Sequence, residues 1–218
     1  MALASELLLS SVARQRCVSK LKEVPVFVKD WINFKSEAAV LVPLCVQNNE
    51  VCLLYTLRSS NLTNHSGQVS FPGGKMDKSE TVFETALRET EEEIGVPRES
   101  VDIWGKMNKI QGRNRDIIIT PVVGLIQNYS FSKLQRNADE VEEIFTVPMS
   151  TFCDVNNHAS FEYENLMTPV FLGAQHKIWG ITGIITHFFL QCFLPSDVYK
   201  VDFTRKKYLM DELMPSKL

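Results

Sequence analysis

Glutamates are concentrated in one short stretch of this sequence, where four of five consecutive positions carry them. These are Glu89, Glu91, Glu92 and Glu93. On a helix, positions 89, 92 and 93 are neighbours, and like charges at this spacing repel one another. A hard divalent cation such as magnesium, which prefers oxygen ligands, would relieve this repulsion. The spacing therefore predicts a metal site, and a solvated acidic helix face is the alternative.

The residues around these glutamates favour the metal site. Gly73 and Gly74 precede the predicted helix and allow a tight turn or a close approach of the backbone. Arg88 is adjacent to Glu89, and Glu80 lies eight residues before Arg88. Glu80 and Arg88 can therefore pair and brace the loop that leads into the helix.

Seven positions of this region together resemble the Nudix box. They are Gly74, Glu80, Arg88, Glu89, Glu92, Glu93 and Gly95. Every charged and glycine position of the motif matches, and Thr90 at an aliphatic position is the one departure. The resemblance implies the Nudix α/β/α sandwich and a hydrolase of diphosphate linkages. It also implies that Glu89, Glu92 and Glu93 bind Mg²⁺ or Mn²⁺.

Nudix enzymes often recruit a further acid from a downstream loop. Glu140 is the candidate for this catalytic role here, with Asp139 and Glu142 as alternatives.

The segment before the box resembles the coenzyme A diphosphatase branch of the Nudix hydrolases. The resemblance rests on the run from Leu53 to Ser59, on Gly67, and on Phe71-Pro72-Gly73-Gly74. Two positions depart from that signature, Tyr55 for a leucine and Thr63 for a second arginine. The branch implies hydrolysis of coenzyme A or acyl-CoA to 3′,5′-ADP and 4′-phosphopantetheine or its acylated form.

Such a substrate needs cationic and polar groups beside the metal. The candidate substrate-binding residues are Arg58, Ser59, His65, Gly73, Gly74 and Lys75. A guanidinium can bind a phosphate through two hydrogen bonds. A surface salt bridge is the alternative role for Arg58, and a loop hydrogen bond is the alternative for His65.

Two other functions stay open at this point. The chain can be a Nudix hydrolase for ADP-ribose, NADH or nucleotides. It can also be a non-catalytic module that binds coenzyme A or a nucleotide, although the three metal-binding glutamates are intact.

The elements that position these residues follow from the hydrophobic pattern. A helix is predicted over residues 81–94, with Thr81 and Glu84 as a capping box and Gly95 as its stop. A second helix is predicted within 178–194. Strands are predicted at 38–46, 51–57, 69–71, 101–104, 116–125, 142–148 and 170–172, the last closing the sheet. The fold class is α+β, with a mixed sheet covered by helices.

The length of 218 residues predicts a single Nudix domain over residues 36–196, with an extension at 1–35 and a tail at 197–218. A net charge of −3 argues against nucleic acid as a partner. The uncharged stretch 178–196 is interrupted by polar residues, which predicts a core helix and no transmembrane segment. Five widely spaced cysteines predict free thiols in a reducing compartment.

Both ends of the sequence resemble targeting signals. The terminal Ser216-Lys217-Leu218 matches the signal read by the peroxisomal import receptor. Residues 1–22 are basic and serine-rich, which loosely resembles a mitochondrial presequence. The alternative is an ordinary first helix with Leu3, Leu7, Leu8 and Val12 on its apolar face.

Overall fold

A computed structural model describes residues 3–28, 34–62, 65–112, 116–163, 166–214 and 216. The strands are β1 (Ser36–Gln47), β2 (Glu50–Arg58), β3 (Val69–Ser70), β4 (Gly73–Lys75), β5 (Val101–Lys106), β6 (Ile110–Gln111), β7 (Ile117–Ile126), β8 (Val141–Pro148), β9 (His158–Tyr163), β10 (Leu166–Phe171) and β11 (Lys207–Tyr208). The helices are α1 (Ser5–Leu8), α2 (Ser11–Leu21), α3 (Val82–Ile94), α4 (Met149–Cys153), α5 (Gly180–Phe193) and α6 (Met210–Leu213). Short 3₁₀ turns occupy Arg98–Ser100, Phe131–Lys133 and Val155–Asn157.

The larger sheet is mixed. Its path runs β3-β2-β1-β7-β5, with β4 paired to β1, β6 to β7 and β8 to β2. β1 and β7 run parallel, whereas β1 and β2 form an antiparallel hairpin. α3 packs on one face of this sheet, and α2 and α5 pack together on the other. The prediction of a mixed sheet covered by helices is therefore confirmed.

α3 begins and ends where the sequence predicts. The Thr81 hydroxyl accepts from the Glu84 backbone N–H, and the Glu84 carboxylate accepts from the Thr81 N–H, which completes the capping box. Gly95 ends the helix with φ at 71°, the left-handed conformation that glycine adopts without strain. Thr90, the departure from the Nudix pattern, is fully buried, and its hydroxyl donates to the Ala86 carbonyl oxygen at 2.6 Å.

The strand predicted at 170–172 does not close the main sheet. Its residues fall in and beside β10, which pairs with β9, and β9 pairs with β11 to form a separate three-stranded sheet. The prediction was wrong because a short apolar run signals burial without specifying the partner strand. The sequence gives no strong strand pattern for β9, so it does not reveal this partner.

The N-terminal segment packs on the body of the protein through only part of the predicted face. Leu8 is buried and Leu3 packs against the core, whereas Leu7 and Val12 are 59% and 73% exposed. α2 instead buries Cys17 and Leu21 against α5 and β5. Arg14 fastens the helix from outside, with two hydrogen bonds of 2.8 and 2.9 Å to the carboxylate of Asp102.

Other expectations fall partly outside the described residues. Thr63, Lys217 and Leu218 lie outside the residues that the structure describes. The domain boundaries stay a prediction. The five cysteines are free thiols, as expected. Among the described helices, none is long and apolar enough to cross a bilayer.

Candidate active site

The carboxylates of the predicted site lie on the face of α3 that meets β4. Glu93 is 4% exposed, and the backbone N–H of Gly73 donates to its carboxylate. Its second oxygen, Oε2, has no hydrogen-bond partner among the described residues. Burial raises the pKa of Glu93 to about 8, and the charges of Glu89 and Glu140 act in the same direction. A bound cation would therefore stabilise the charged form of this carboxylate.

The two glycines before α3 make room for this arrangement. A Cβ on Gly74 would lie well inside 3.0 Å of the Glu89 carboxyl group, so only glycine leaves that carboxylate its place. Gly73 has φ at 154° and packs against the backbone of Val40 in β1, where a Cβ would also overlap. The glycine pair thus lets β4 lie directly against the acidic face of α3.

Arg88 organises the entrance to the helix. Its guanidinium donates to both carboxylate oxygens of Glu80, at 2.7 and 3.0 Å, as the sequence predicts. It also donates to Glu89 at 2.9 Å, to Glu92 at 3.0 Å and to the Lys75 carbonyl oxygen at 3.2 Å. The hydrogen bonds from Arg88, and then one from Thr85, lower the pKa of Glu80 to about 2. Thr85 is not predictable from the sequence, because a threonine in the first turn of a helix carries no signal for this role.

Glu89 and Glu92 differ in their surroundings. The Glu89 side chain is 15% exposed, and burial raises its pKa, against the opposing effect of Arg88. The Glu92 side chain is 53% exposed and lies at the rim. Among the described residues, no three acids, histidines or cysteines form a compact metal cluster. Magnesium usually completes its shell with water and substrate phosphates, so Glu93 and Glu89 can anchor an ion without a full protein cage.

Arg58 lies at the end of β2, where the register with β8 shifts between Leu57 and Arg58. Such a bulge re-aims the side chain that follows it. Arg58 lies near enough to Glu93 for its charge to lower the pKa of that carboxyl group. Its Nε has no hydrogen-bond partner among the described residues. The structure therefore brings Arg58 to the carboxylates with hydrogen-bonding capacity left for a ligand.

Glu140 is brought to the same site by a backbone contact. The N–H of Ser59 donates to the Glu140 carbonyl oxygen at 2.9 Å. The Glu140 charge raises the pKa of both Glu89 and Glu93. Asp139 bonds through its backbone N–H to Asn137, and Glu142 is exposed on β8. The geometry favours Glu140 over these two alternatives, and the substrate-binding role of Ser59 stays a prediction.

His65 and Lys75 are not gathered around the carboxylates in the same way. His65 is exposed, has φ at 56°, and its Nδ1 lies 3.0 Å from Gln68 Oε1. This contact is the loop hydrogen bond that the sequence left as the alternative. Lys75 is exposed in β4 and contributes its carbonyl oxygen to Arg88.

The chain belongs to the Nudix family. A family profile described as "NUDIX domain" matches residues 35–165. The branch resemblance is confirmed by similarity to "Mitochondrial coenzyme A diphosphatase NUDT8" of Homo sapiens, 39% identical over 170 residues, which cover 73% of this chain and 70% of that protein. The mouse protein of that name is 35% identical and covers 86% of this chain and 90% of its own length.

Two further comparisons agree with the family. "Nudix hydrolase 3" of Caenorhabditis elegans is 34% identical over 212 residues, which cover 87% of this chain and 88% of that protein. Among solved structures, a MutT/nudix family protein from Enterococcus faecalis superposes with a TM-score of 0.51 at 17% identity. That match covers 84% of this chain and 69% of the other, and it supports the fold alone.

Proposed function

We propose that this chain hydrolyses the diphosphate linkage of coenzyme A or acyl-CoA. The products are 3′,5′-ADP and 4′-phosphopantetheine or its acylated form. The observation that carries the proposal is the placement of Arg58, with its unpartnered Nε, beside the buried Glu93 carboxylate. Arg58 belongs to the upstream signature of the branch, and the human and mouse relatives carry the name coenzyme A diphosphatase.

The residues of α3 fit a divalent ion, Mg²⁺ or Mn²⁺. Glu93 Oε2 is buried without a hydrogen-bond donor, and Gly74 leaves space at the Glu89 carboxylate. Glu89 and Glu93 would hold the ion, with Glu92 at the rim. When bound, such an ion neutralises phosphate charge and lowers the pKa of water.

The other residues position the substrate and the proton acceptor. Arg58 would bind non-bridging oxygens of the diphosphate through its fixed donor fork. The Glu140 carboxylate would act as the general base, which orients the attacking water and accepts its proton. Arg88 holds Glu89 and Glu92 in place through the hydrogen bonds described above. Catalysis is then mostly positioning and charge stabilisation.

Incubation of the purified protein with coenzyme A and magnesium, followed by analysis for 3′,5′-ADP, tests the proposal. We expect product formation that a chelator abolishes. ADP-ribose and NADH, tested in parallel, should be poorer substrates. Preferred cleavage of either would keep the Nudix chemistry and reject the coenzyme A assignment. Tight binding of coenzyme A without any product would identify a non-catalytic binding module.

The role of Arg58 has a matched control. Arg58→Gln should raise the KM for coenzyme A by about tenfold or more, because a charge-assisted phosphate contact is lost. Arg98→Gln removes an arginine whose exposed side chain pairs with Glu91 at 2.7 Å on the far side of α3. It should leave the KM unchanged. Equal effects of the two substitutions would reject the phosphate-binding role of Arg58.

We propose a mitochondrial location, supported by the basic N-terminal segment and by the names of the human and mouse relatives. Fusion of a fluorescent protein after Leu218 would mask a terminal Ser-Lys-Leu signal and leave the N-terminus free. Mitochondrial fluorescence from this fusion supports the proposal. If the fusion stays outside organelles while an N-terminal fusion enters peroxisomes, the C-terminal signal directs the protein instead.

A further inference from the structure

A second concave feature lies beside β3. It is a pocket of about 150 Å³ between the loop before β3, the beginning of β7 and the beginning of α5. Three isoleucines and a tryptophan dominate its wall, namely Ile117, Ile119, Ile181 and Trp179. Gln68 and Asp116 add polar groups at the wall. The pocket therefore suits a small branched aliphatic group that carries hydrogen-bonding atoms.

The pocket is adjacent to the phosphate-binding arginine. The backbone N–H of Arg58 donates to the carbonyl oxygen of Gln68 at 3.0 Å, and Leu57 is paired with Val69, which also lines the pocket. Neighbouring strands lie about 4.8 Å apart, so the wall of the pocket begins one strand away from Arg58. A group in this pocket would be attached close to the phosphates that Arg58 binds.

The wall favours one half of coenzyme A over the other. On one side of the diphosphate is the pantoyl group, with two methyl groups, a hydroxyl and an amide. On the other side are a ribose and its 3′-phosphate. A phosphate would be repelled by the Asp116 carboxylate, and among the described residues that line the pocket there is no lysine or arginine to bind it. Burial of methyl groups against isoleucine and tryptophan side chains is favourable.

We propose that this pocket binds the pantoyl part of the pantetheine arm. The proposal rests on the function proposed above and gives it a specificity element. ADP-ribose carries a second ribose at the corresponding position, which has no methyl groups to bury. The pocket would thus favour coenzyme A and its acyl esters over ADP-ribose, whatever the length of the acyl chain.

Trp179 provides a direct readout that needs neither metal nor hydrolysis. Pantetheine, which lacks the diphosphate, should change the tryptophan fluorescence of the metal-free protein in a saturable manner. Trp179→Phe should abolish the change, and Trp104→Phe, at a buried site in another part of the core, should preserve it. No change up to about 10 mM pantetheine, a very weak affinity, would overturn the proposal. A Trp179-dependent response to 3′,5′-ADP in place of pantetheine would overturn it too.

Ile181→Asp tests the same assignment kinetically. Ile181 is half-buried in the first turn of α5, where a carboxylate is tolerated because it faces the positive end of the helix. We expect a rise of about tenfold or more in the KM for coenzyme A and little change in the KM for ADP-ribose. Gln191→Asp places the same charge on the exposed face of α5 and should leave both values unchanged. Equal effects of Ile181→Asp on both substrates would reject the assignment.

The hydrolysis assay and the fluorescence titration distinguish a failure of the proposed function from a failure of the pocket assignment. If the protein does not cleave coenzyme A, the proposed function fails, while pantetheine can still change the fluorescence of Trp179. If coenzyme A is cleaved but pantetheine leaves Trp179 unaffected, the function stands and the pocket assignment is rejected.

Discussion

The two long helices pack on opposite faces of one sheet, and each buries a polar side chain in a different state of hydrogen bonding. On α5, Thr186 is fully buried, and its hydroxyl lies 2.9 Å from the hydroxyl of Tyr55 in β2. On α3, Glu93 is nearly as buried, but its Oε2 has no hydrogen-bond partner among the described residues. Both side chains are buried beneath a helix, so burial alone does not explain the difference.

Buried polar groups in stable cores are hydrogen-bonded, and an exception needs an explanation. The Thr186–Tyr55 pair follows this rule and helps fix how α5 sits on the sheet. Glu93 is an exception to this rule, and it also lies among carboxylates that repel its charged form. Such an arrangement is unfavourable for folding in the absence of a ligand. The α3 face therefore carries an arrangement that a ligand completes, and the α5 face carries one that is already complete.

Among the substitutions that separate the two helix faces, Glu93→Gln should change activity the most. It keeps the shape of the side chain and removes the charge, so hydrolysis should fall by roughly 10²- to 10³-fold. At a pH above the Glu93 pKa of about 8, the melting temperature without metal should be at least as high as that of the unchanged protein, because repulsion from the ionised Glu89 and Glu140 is relieved. Turnover assays and thermal denaturation in a chelator measure both effects. Normal turnover would reject Glu93 as a metal ligand.

Gly74→Ala should act through Glu89. The added methyl group would overlap the Glu89 carboxyl group and displace it, which should reduce turnover by about 10- to 100-fold. Gly105→Ala is a suitable control, because among the described residues its Cβ would meet only Leu21 Cδ1, at 3.6 Å. Full activity in Gly74→Ala would show that the position of Glu89 does not matter for catalysis.

The α5 face should respond to acid through His187. Burial, reinforced by His158, lowers the pKa of His187 from 6.5 to about 4. The unfolded chain therefore binds a proton between these pH values that the folded protein does not, so stability falls as pH decreases from about 6.5 to 4. This difference in proton binding should lower the free energy of unfolding by roughly 3 kcal/mol over the full range. Urea denaturation across this range should show a shallower pH slope for His187→Gln, whereas His65→Gln at an exposed loop should keep the original slope.

Thr186→Val should destabilise the protein without impairing hydrolysis. It leaves the Tyr55 hydroxyl buried and unpaired, which costs about 1–3 kcal/mol. The double substitution with Tyr55→Phe removes both polar groups and should be less destabilising than Thr186→Val alone. A double-mutant cycle from urea denaturation gives the coupling between the two residues. Additive effects would show that their hydrogen bond adds nothing to stability.

The sequence predicts the parts of this contrast that rest on local chemistry. The capping box, the apolar spacing and Gly95 define α3 within a few residues, and the spacing of the glutamates defines its acidic face. The Glu80–Arg88 pair also follows from spacing, because both residues belong to one contiguous motif. These features are local, so no knowledge of distant partners is needed to infer them.

The remainder depends on contacts between distant segments. The apolar run at 170–172 reads as a buried strand, but its partner β9 gives no strong pattern of its own. Val12 is exposed because α2 is fixed by Arg14 and by burial of Cys17, neither of which follows from apolar spacing. Likewise, the bulge that aims Arg58 and the pocket beside it exist only once β2, β3, β7 and α5 are assembled.

The packing of α2 on the core limits how the N-terminal segment could serve as a targeting signal. Leu8, Cys17 and Leu21 belong to the main core, and the Arg14 guanidinium lies 5.5 Å from the centre of the Trp104 ring. A processing protease that cut after Leu21 would take these groups away and open Trp104 to water. Delivery into an organelle by this segment is thus compatible with a folded enzyme only when the segment remains attached after import.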